Sequence, residues 1–307
     1  MKLSQKIADD IGIDANYIEI IATRNNRYAR YLINKKNGGK REILQPSKEL
    51  KVIQRWLVKN IFNHFPVSEY SVAYSKGDSV KRNALMHKDA NFLLHTDITN
   101  FFPSITRSMF VEFFNKNSAI IQELELSEAD INLILDICLY SGQYLVVGSV
   151  ASPRIANIIM YDFDIEVYKL LKQTGNYYTR YADDLIISSQ HFIDEKIIES
   201  IAAVMNKYGF VMNRKKTFFM NKKHCRQITG VVIDNNNNSL SVGNKRYKEF
   251  ERMLYKYLVK GEGNAEYLKG YLAYIKEINN TQYRQIRNIY VKYDTRGTIF
   301  TKESQQN

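Results

Sequence analysis

Two adjacent carboxylates, Asp183 and Asp184, lie in the stretch TRYADDLIISS. Tyr177 to Tyr181 before them and Leu185 to Ser189 after them are aromatic and β-branched enough for two strands, which predicts a hairpin with both acids in its tight turn. Neighbouring like charges oppose joint ionisation, and a cation relieves that opposition. Oxygen-only ligands with part of the shell left to water and substrate phosphate suit Mg²⁺. An Asp-Asp surface turn has the same local sequence, so the pair alone decides little. NFLLHTDITNFFPSI, Asn91 to Ile105, adds a third acid: an apolar strand ends in Asp97, followed by a Phe-Phe pair and a Pro that can open a helix. Asp97 could simply cap that helix. Two acid-bearing strand ends in one buried sheet could instead hold two metal ions about 3.5–4 Å apart, activating a 3′-hydroxyl and stabilising a leaving pyrophosphate.

Such a site needs a scaffold, and the periodicities supply one. Residues 1–25 read as two short helices, with Asp14 a candidate cap. Tyr28 to Ile33 and Arg41 to Gln45 read as strands around the turn signal Asn37-Gly38-Gly39. Ser47 caps a helix whose Leu50, Ile53, Leu57 and Ile61 form one apolar face. Ser127 opens another that runs to Cys138, and Asp194 to Tyr208 forms a third, ended by Gly209. Asn235 to Asn238 is a polar turn, helices are expected over Tyr247 to Leu258 and Glu266 to Ile278, and Thr301 to Asn307 reads as a frayed end. No internal repeat or interdomain linker interrupts the chain.

These segments resemble those of reverse transcriptases, in the expected order and over most of the length. The resemblance implies an α+β right-hand polymerase: fingers with N-terminal helices over 1–90, a palm of antiparallel sheet with packed and inserted helices over 91–243, and a helical thumb over 244–307. Asp97 matches the first catalytic aspartate, and Asp183 and Asp184 match the YxDD box, with Asp97 and Asp183 the main ligands of two Mg²⁺ ions (Mn²⁺ the alternative) and Asp184 supporting. Phe102 matches the aromatic beneath the nucleotide sugar, whose flat ring tolerates deoxyribose and clashes with a 2′-hydroxyl; one of Phe101 and Phe102 is expected to be plain core. GSVASPRIAN, from Gly148 to Asn157, resembles the loop and helix holding template and dNTP, with Pro153 in its first turn. Many relatives have Gln-Gly-x-Pro-x-Ser-Pro here. This chain has Val147 and Val150 at the Gln and first Pro positions, which removes the usual Gln contact. GFVMNRKKTFF, from Gly209 to Phe219, resembles the segment whose lysine sits near the triphosphate. Lys216 is the better match and Lys215 the second; a lysine there can protonate pyrophosphate, or can be a solvated surface lysine. GGKREILQPS resembles the fingers hairpin, where Lys40 and Arg41 would grip the triphosphate as point charge and fork donor.

Two short motifs resemble one branch of that family, the retron enzymes of bacteria. Asn83, Ala84 and His87 fit the NAxxH signature, and Ile228-Thr229-Gly230 stands where those enzymes carry Val-Thr-Gly. Asn83 and His87 would share one helical face, where a hydrogen-bonded packing pair is the plain alternative. The resemblance implies an enzyme that binds a structured noncoding RNA of the msr–msd type. It would prime from the 2′-hydroxyl of one guanosine, copy part of the RNA into a branched RNA–DNA molecule, and act with an effector protein in anti-phage defence.

Composition agrees. The 307 residues carry 44 Lys/Arg against 32 Asp/Glu, a net charge of +12 that suits a phosphate-rich partner. Half of that charge lies in residues 244–307, with 13 Lys/Arg against 7 Asp/Glu, together with nine of the 22 tyrosines. Lys245, Arg246, Lys248, Arg252, Lys256, Arg284 and Arg287 are the candidate RNA contacts there, although tyrosines at helical spacing usually pack and surface lysines are usually solvated. No apolar run approaches the roughly 18 residues of a membrane span, no amphipathic basic helix stands out, and MKLSQKIADDIG lacks a signal-peptide core. Cys138 and Cys225 have no metal-binding spacing, and a reducing cytoplasm fits. Two other readings stand beside the retron one. A group II intron-like or abortive-infection reverse transcriptase is weakened by the NAxxH match. A non-catalytic RNA-binding protein is opposed by three acids placed where phosphate must approach.

Overall fold

The computed structural model describes residues 1–34 and 38–300. They form two compact units: residues 1–76, 95–185 and 194–217 make one, and residues 77–94, 186–193 and from 218 on make the other. The sequence-predicted frayed end, 301–307, and Asn37 of the turn signal lie outside the described residues.

The chain opens with α1 (Leu3–Ile11) and α2 (Ala15–Thr23), the latter capped by the Asp14 carboxylate, which accepts from the Tyr17 N–H at 3.0 Å. β1 (Tyr28–Asn34) and β2 (Lys40–Pro46) pair antiparallel from Tyr28↔Pro46 to Asn34↔Lys40. Gly38 and Gly39 have φ of 84° and 79°, a conformation that a side chain would oppose. Ser47 caps α3 (Lys48–Asn60), and the predicted stripe Leu50, Ile53, Leu57 and Ile61 is buried.

α4 (Val80–His87) precedes β3 (Phe92–Asp97), whose end runs into the short α5 (Phe101–Ser104). α6 (Arg107–Lys116) and α7 (Ser118–Glu123) follow, then α8 (Glu128–Cys138), which starts on a reciprocal Ser127–Asp130 capping box. α9 (Ser152–Ile159) carries Pro153 in its first turn and leads into α10 (Tyr161–Lys172). β4 (Tyr177–Tyr181) and β5 (Asp184–Ser189) form the acid-bearing hairpin. α11 (Lys196–Lys207) begins two residues later than the periodicity suggests, because the Asp194 carboxylate holds the Lys196 N–H at its start; Gly209, with φ 77°, ends the turn after it.

β6 (Phe218–Asn221), β7 (Arg226–Ile228), β8 (Val231–Ile233) and β9 (Leu240–Ser241) complete the strands. One sheet has the order β4-β5-β3-β6, which sets the acid-bearing ends of β3 and β5 side by side; another has the order β7-β8-β9. The chain closes with α12 (Asn244–Tyr255), α13 (Ala265–Ile278) and α14 (Asn280–Tyr290). The helix expected over Tyr247 to Leu258 is not uniform: its last turn, Lys256–Lys260, is π-helical and stops at Gly261 in the left-handed region. α14 was not individually legible in the sequence. The α+β right-hand polymerase class inferred from the sequence is the class observed.

The core of the second unit gathers Ala84, Leu93, Ile186, Ile228, Val231, Phe250, Leu254, Leu272 and Ile275. Tyr247, Tyr257, Tyr271, Tyr274, Tyr283 and Tyr290 pack against it, so most tyrosines of this region serve the fold, while Tyr255, Tyr267 and Tyr293 remain exposed. Among the described residues no helix is long and apolar enough to cross a membrane.

Candidate active site

Strand ends decide the geometry. Asp97 closes β3, and Asp183 sits in the turn between β4 and β5 as expected, whereas Asp184, expected in the same turn, is already the first residue of β5. The Ile98 N–H donates to the Asp183 carbonyl at 3.0 Å and stitches the two segments together. One carboxylate oxygen from each of Asp97, Asp183 and Asp184 lies within 4.8 Å of the others.

The cluster is electrostatically loaded. Burial, then the charges of Asp184 and Asp97, push the Asp183 carboxyl up to about 6. Asp97 is almost fully buried, and it accepts from Asn213 Nδ2 at 3.0 Å and from Lys216 Nζ at 2.7 Å. Burial opposes the Lys216 charge, but its bond to Asp97 and the surrounding carboxylates prevail and raise its pKa. Lys216 ends a short 3₁₀ turn, Arg214–Lys216, and Lys215 beside it is exposed. An all-oxygen set with mutual repulsion is the donor chemistry that a hard divalent cation satisfies.

His95 went unnoticed in the sequence. Its Nδ1 is 2.9 Å from the Lys216 carbonyl and its Nε2 is 3.1 Å from Asp184 Oδ1. A carbonyl only accepts, so Nδ1 carries hydrogen; an ionised Asp184 asks the same of Nε2. Burial works against that imidazolium, but the bond to Asp184, its charge, the Lys216 carbonyl and the Asp97 charge together outweigh it, and the His95 pKa is raised. The only sequence signal is its place two residues before Asp97, on the same face of β3.

A second unforeseen group supports the hairpin from beneath. Arg180 and Asp164 are both fully buried; Nε and Nη2 of Arg180 reach the two Asp164 oxygens at 2.7 and 2.8 Å. Nη1 donates to the carbonyl of Ala182 at 3.1 Å. Ala182 has φ 58°, a left-handed turn that L residues adopt reluctantly. Tyr178 also donates to Asp164, and Nη1 reaches Asn157 of α9 at 3.4 Å. Neither arginine nor aspartate forms a recognisable motif, because their pairing spans 16 residues and two elements.

The other predicted residues occupy distinct places. Phe101 is core and Phe102 is only partly covered, their rings 5.3 Å apart, as the pair was expected to divide. Gly148 has φ 107°, and a Cβ there would lie 2.8 Å from both Ile43 Cγ2 and the Leu44 carbonyl. The Val147 carbonyl accepts from Leu44, while Ser149 and the Val150 N–H both donate to the buried Gln54, so this loop is held by β2 and α3. Lys40 and Arg41 are exposed at the turn end of the β1–β2 hairpin, where Lys40 pairs with Asn34 and Arg41 with Ile33.

The two signature motifs meet in a core. Asn83 and His87 are buried on one face of α4, and His87 Nδ1 is 2.7 Å from Ser188 Oγ. Ala84 and Ile228 share the same apolar cluster. Thr229 and Gly230 turn β7 into β8 with φ of 45° and 90°, and Arg246 donates to the Gly230 carbonyl at 2.9 Å. Arg246 is thus engaged with the fold; Lys245, Lys248, Arg252, Lys256 and Arg284 are exposed, and Arg287 is partly covered.

Three acids meet at adjacent strand ends with a lysine hydrogen-bonded to one of them, an arrangement that suits a nucleotidyl-transferring polymerase. A family described as reverse transcriptase (RNA-dependent DNA polymerase) matches residues 33–233. Retron Ec86 reverse transcriptase of Escherichia coli is 30% identical over 272 residues, covering 87% of this chain and 81% of the relative. Retron Ec73 reverse transcriptase of the same species is 31% identical over 278 residues, covering 84% and 85%. The solved telomerase of Candida albicans, in complex with a fragment of telomeric RNA, aligns at a TM-score of 0.51 and 12% identity over 95% of this chain and 58% of that one, a likeness of fold alone. The chain belongs to the retron reverse transcriptases and is an RNA-directed DNA polymerase.

Proposed function

We propose that this enzyme copies part of a structured msr–msd-type noncoding RNA into branched msDNA, starting from the 2′-hydroxyl of a guanosine. The retron relatives and the NAxxH and Ile-Thr-Gly segments support the branched product; the carboxylate cluster is the observation that carries the chemistry. Fingers, palm and thumb are assigned to residues 1–90, 91–243 and 244–307.

Asp97 and Asp183 are the main ligands for two Mg²⁺ ions, with Asp184 supporting and Mn²⁺ the alternative. Bound there, such ions would activate the attacking hydroxyl and neutralise charge on the leaving pyrophosphate. In each step the hydroxyl gives its proton to water and its oxygen bonds to the α-phosphorus of a dNTP as the bond to pyrophosphate breaks. Lys216, beside Asp97, donates a proton to the pyrophosphate. Asn213 and His95 fix the orientation of Asp97 and Asp184. Phe102 rejects ribonucleotides, Gly148 lets the loop approach the nucleotide, and Lys40 and Arg41 hold its triphosphate. Lys245, Lys248, Arg252, Lys256, Arg284 and Arg287 contact RNA phosphates, with Arg246 serving the Gly230 turn as well. An effector protein partners the complex in anti-phage defence in the cytoplasm.

The test is the nucleic acid that copurifies when the protein is expressed with its native flanking DNA. A short DNA whose gel mobility shifts after RNase and again after a debranching enzyme is the expected result. Wild-type protein that extends an ordinary primer on RNA yet carries no such DNA would favour an intron-like or abortive-infection enzyme.

A further inference from the structure

Tyr74 adopts φ 69°, a conformation that costs a bulky side chain energy and persists only where neighbours impose it. The neighbours are identifiable. The Val72 N–H donates to the Arg180 carbonyl at 2.9 Å, and the Arg180 N–H donates to the Tyr70 carbonyl at 2.8 Å, so Ser71 pairs with Arg180 as one more strand position beside β4. Ser71 Oγ donates to Asn157 Oδ1 at 2.9 Å, and Asn157 Nδ2 donates to the Ala73 carbonyl at 2.7 Å. Tyr70, Ser71, Val72 and Ala73 are all buried, and the constraint ends there.

What the strained backbone presents is not core. Tyr74 is 49% exposed as a residue, with its ring centroid 6.4 Å from that of Tyr181. Burial and then the Asp183 charge push its hydroxyl up to about 12, so it stays neutral near the carboxylates. Packing alone does not explain a residue that keeps half its surface in water at a conformational cost. A neutral aromatic face near Asp183 and Asp184 offers phosphate no repulsion and offers a base or sugar a stacking surface.

We infer that Tyr74, backed by Tyr181, is a contact for the 3′-terminal nucleotide of the primer strand. The attacking hydroxyl must come to the carboxylate cluster, and Tyr74 is close enough to Asp183 and Asp184 to feel their charge, so the nucleotide carrying that hydroxyl comes within reach of the Tyr74–Tyr181 pair. The inference rests on polymerase activity, and a failure of the branched-product reading leaves its assay intact.

The experiment is steady-state extension of a DNA primer annealed to an RNA template, with melting temperatures, for Tyr74→Gly, Tyr74→Ala and Tyr74→Phe. Glycine relieves the positive φ, so Tyr74→Gly is expected to melt no lower than wild type. Its KM for primer–template is expected to rise roughly 5- to 100-fold, the range of a lost aromatic stacking contact. Tyr74→Phe should resemble wild type, and the KM for dNTP should hold within about two-fold in every variant. Unchanged primer–template KM in the Gly and Ala variants would overturn the inference. So would a loss that falls on dNTP KM instead, or a Tyr74→Gly protein that melts well below wild type, which would make the ring a packing group.

Discussion

Lys216 Nζ stands 2.7 Å from Asp97 Oδ2, joining a half-exposed lysine to a carboxylate that is almost fully buried. The lysine comes from the segment after α11 and the acid from the end of β3, and the fold brings them into direct contact. If Lys216 is the proton donor, Lys216→Met should lower single-turnover extension roughly 10²- to 10⁴-fold. Lys216→Arg keeps the charge but surrenders its proton too reluctantly, so it should rescue little. Wild-type rates in the arginine variant would leave the residue an electrostatic role only.

Asp183 ties function to a loss of stability. Its folded pKa, about 6, lies above the ordinary carboxyl value of 3.8. Between those values the folded state binds more protons than the unfolded chain, so stability falls as pH rises through that window. At neutral pH without metal the full penalty is present. Asp183→Asn should therefore abolish extension while raising stability in chelator at pH 7.5 by roughly 1–3 kcal/mol, with much less gain near pH 4. Equal melting shifts at the two pH values would refute the electrostatic origin.

The buried Arg180–Asp164 pair makes the opposite kind of forecast. Removing one partner strands a charge, so Asp164→Ala should cost about 3–5 kcal/mol in denaturant unfolding. Removing both should cost less than the sum of the single losses. An additive double mutant would mean that the two side chains act independently, despite their two short contacts.

If the partly covered Phe102 ring is the barrier to a 2′-hydroxyl, Phe102→Val should increase ribonucleotide incorporation relative to deoxyribonucleotide. A competition assay with matched dNTP and rNTP reads the ratio directly. An unchanged ratio would assign the gate to another residue.

His87 supplies an acid-sensitive element away from the catalytic cluster. Burial lowers its pKa from 6.5 to about 3. The unfolded chain gains a proton between those values, so the stabilising contribution is complete above pH 6.5 and is lost as pH falls toward 3. At pH 5 the loss should be about 2 kcal/mol. His87→Gln should flatten the dependence of unfolding free energy on pH over that range, whatever its effect at pH 7.

Local patterns revealed much of this molecule. The caps Asp14, Ser47 and Ser127, the apolar stripe of α3 and the two strands around Ala182 follow from short-range periodicity and side-chain capping chemistry. The three acids were legible because each sits at a strand end that the sequence marks. His95 and the Arg180–Asp164 pair were not, because their meaning depends on which strand and helix become neighbours. Asn83, Ala84, His87, Ile228, Thr229 and Gly230 stood out as a family signature; in the fold they converge on one core and one turn, a role that the motif itself does not reveal.

Gly148 offers a different lesson. There is no room for a side chain between it and Ile43 and Leu44, and the neighbouring Val147 carbonyl is bonded to the Leu44 N–H. Two segments about a hundred residues apart in sequence are therefore fused along their backbones, with nothing deformable in between. Natural variation in one must be answered by variation in the other: a larger residue at position 148 becomes accessible only after Ile43 shrinks and β2 shifts. These two stretches should be inherited, swapped or redesigned as one cassette.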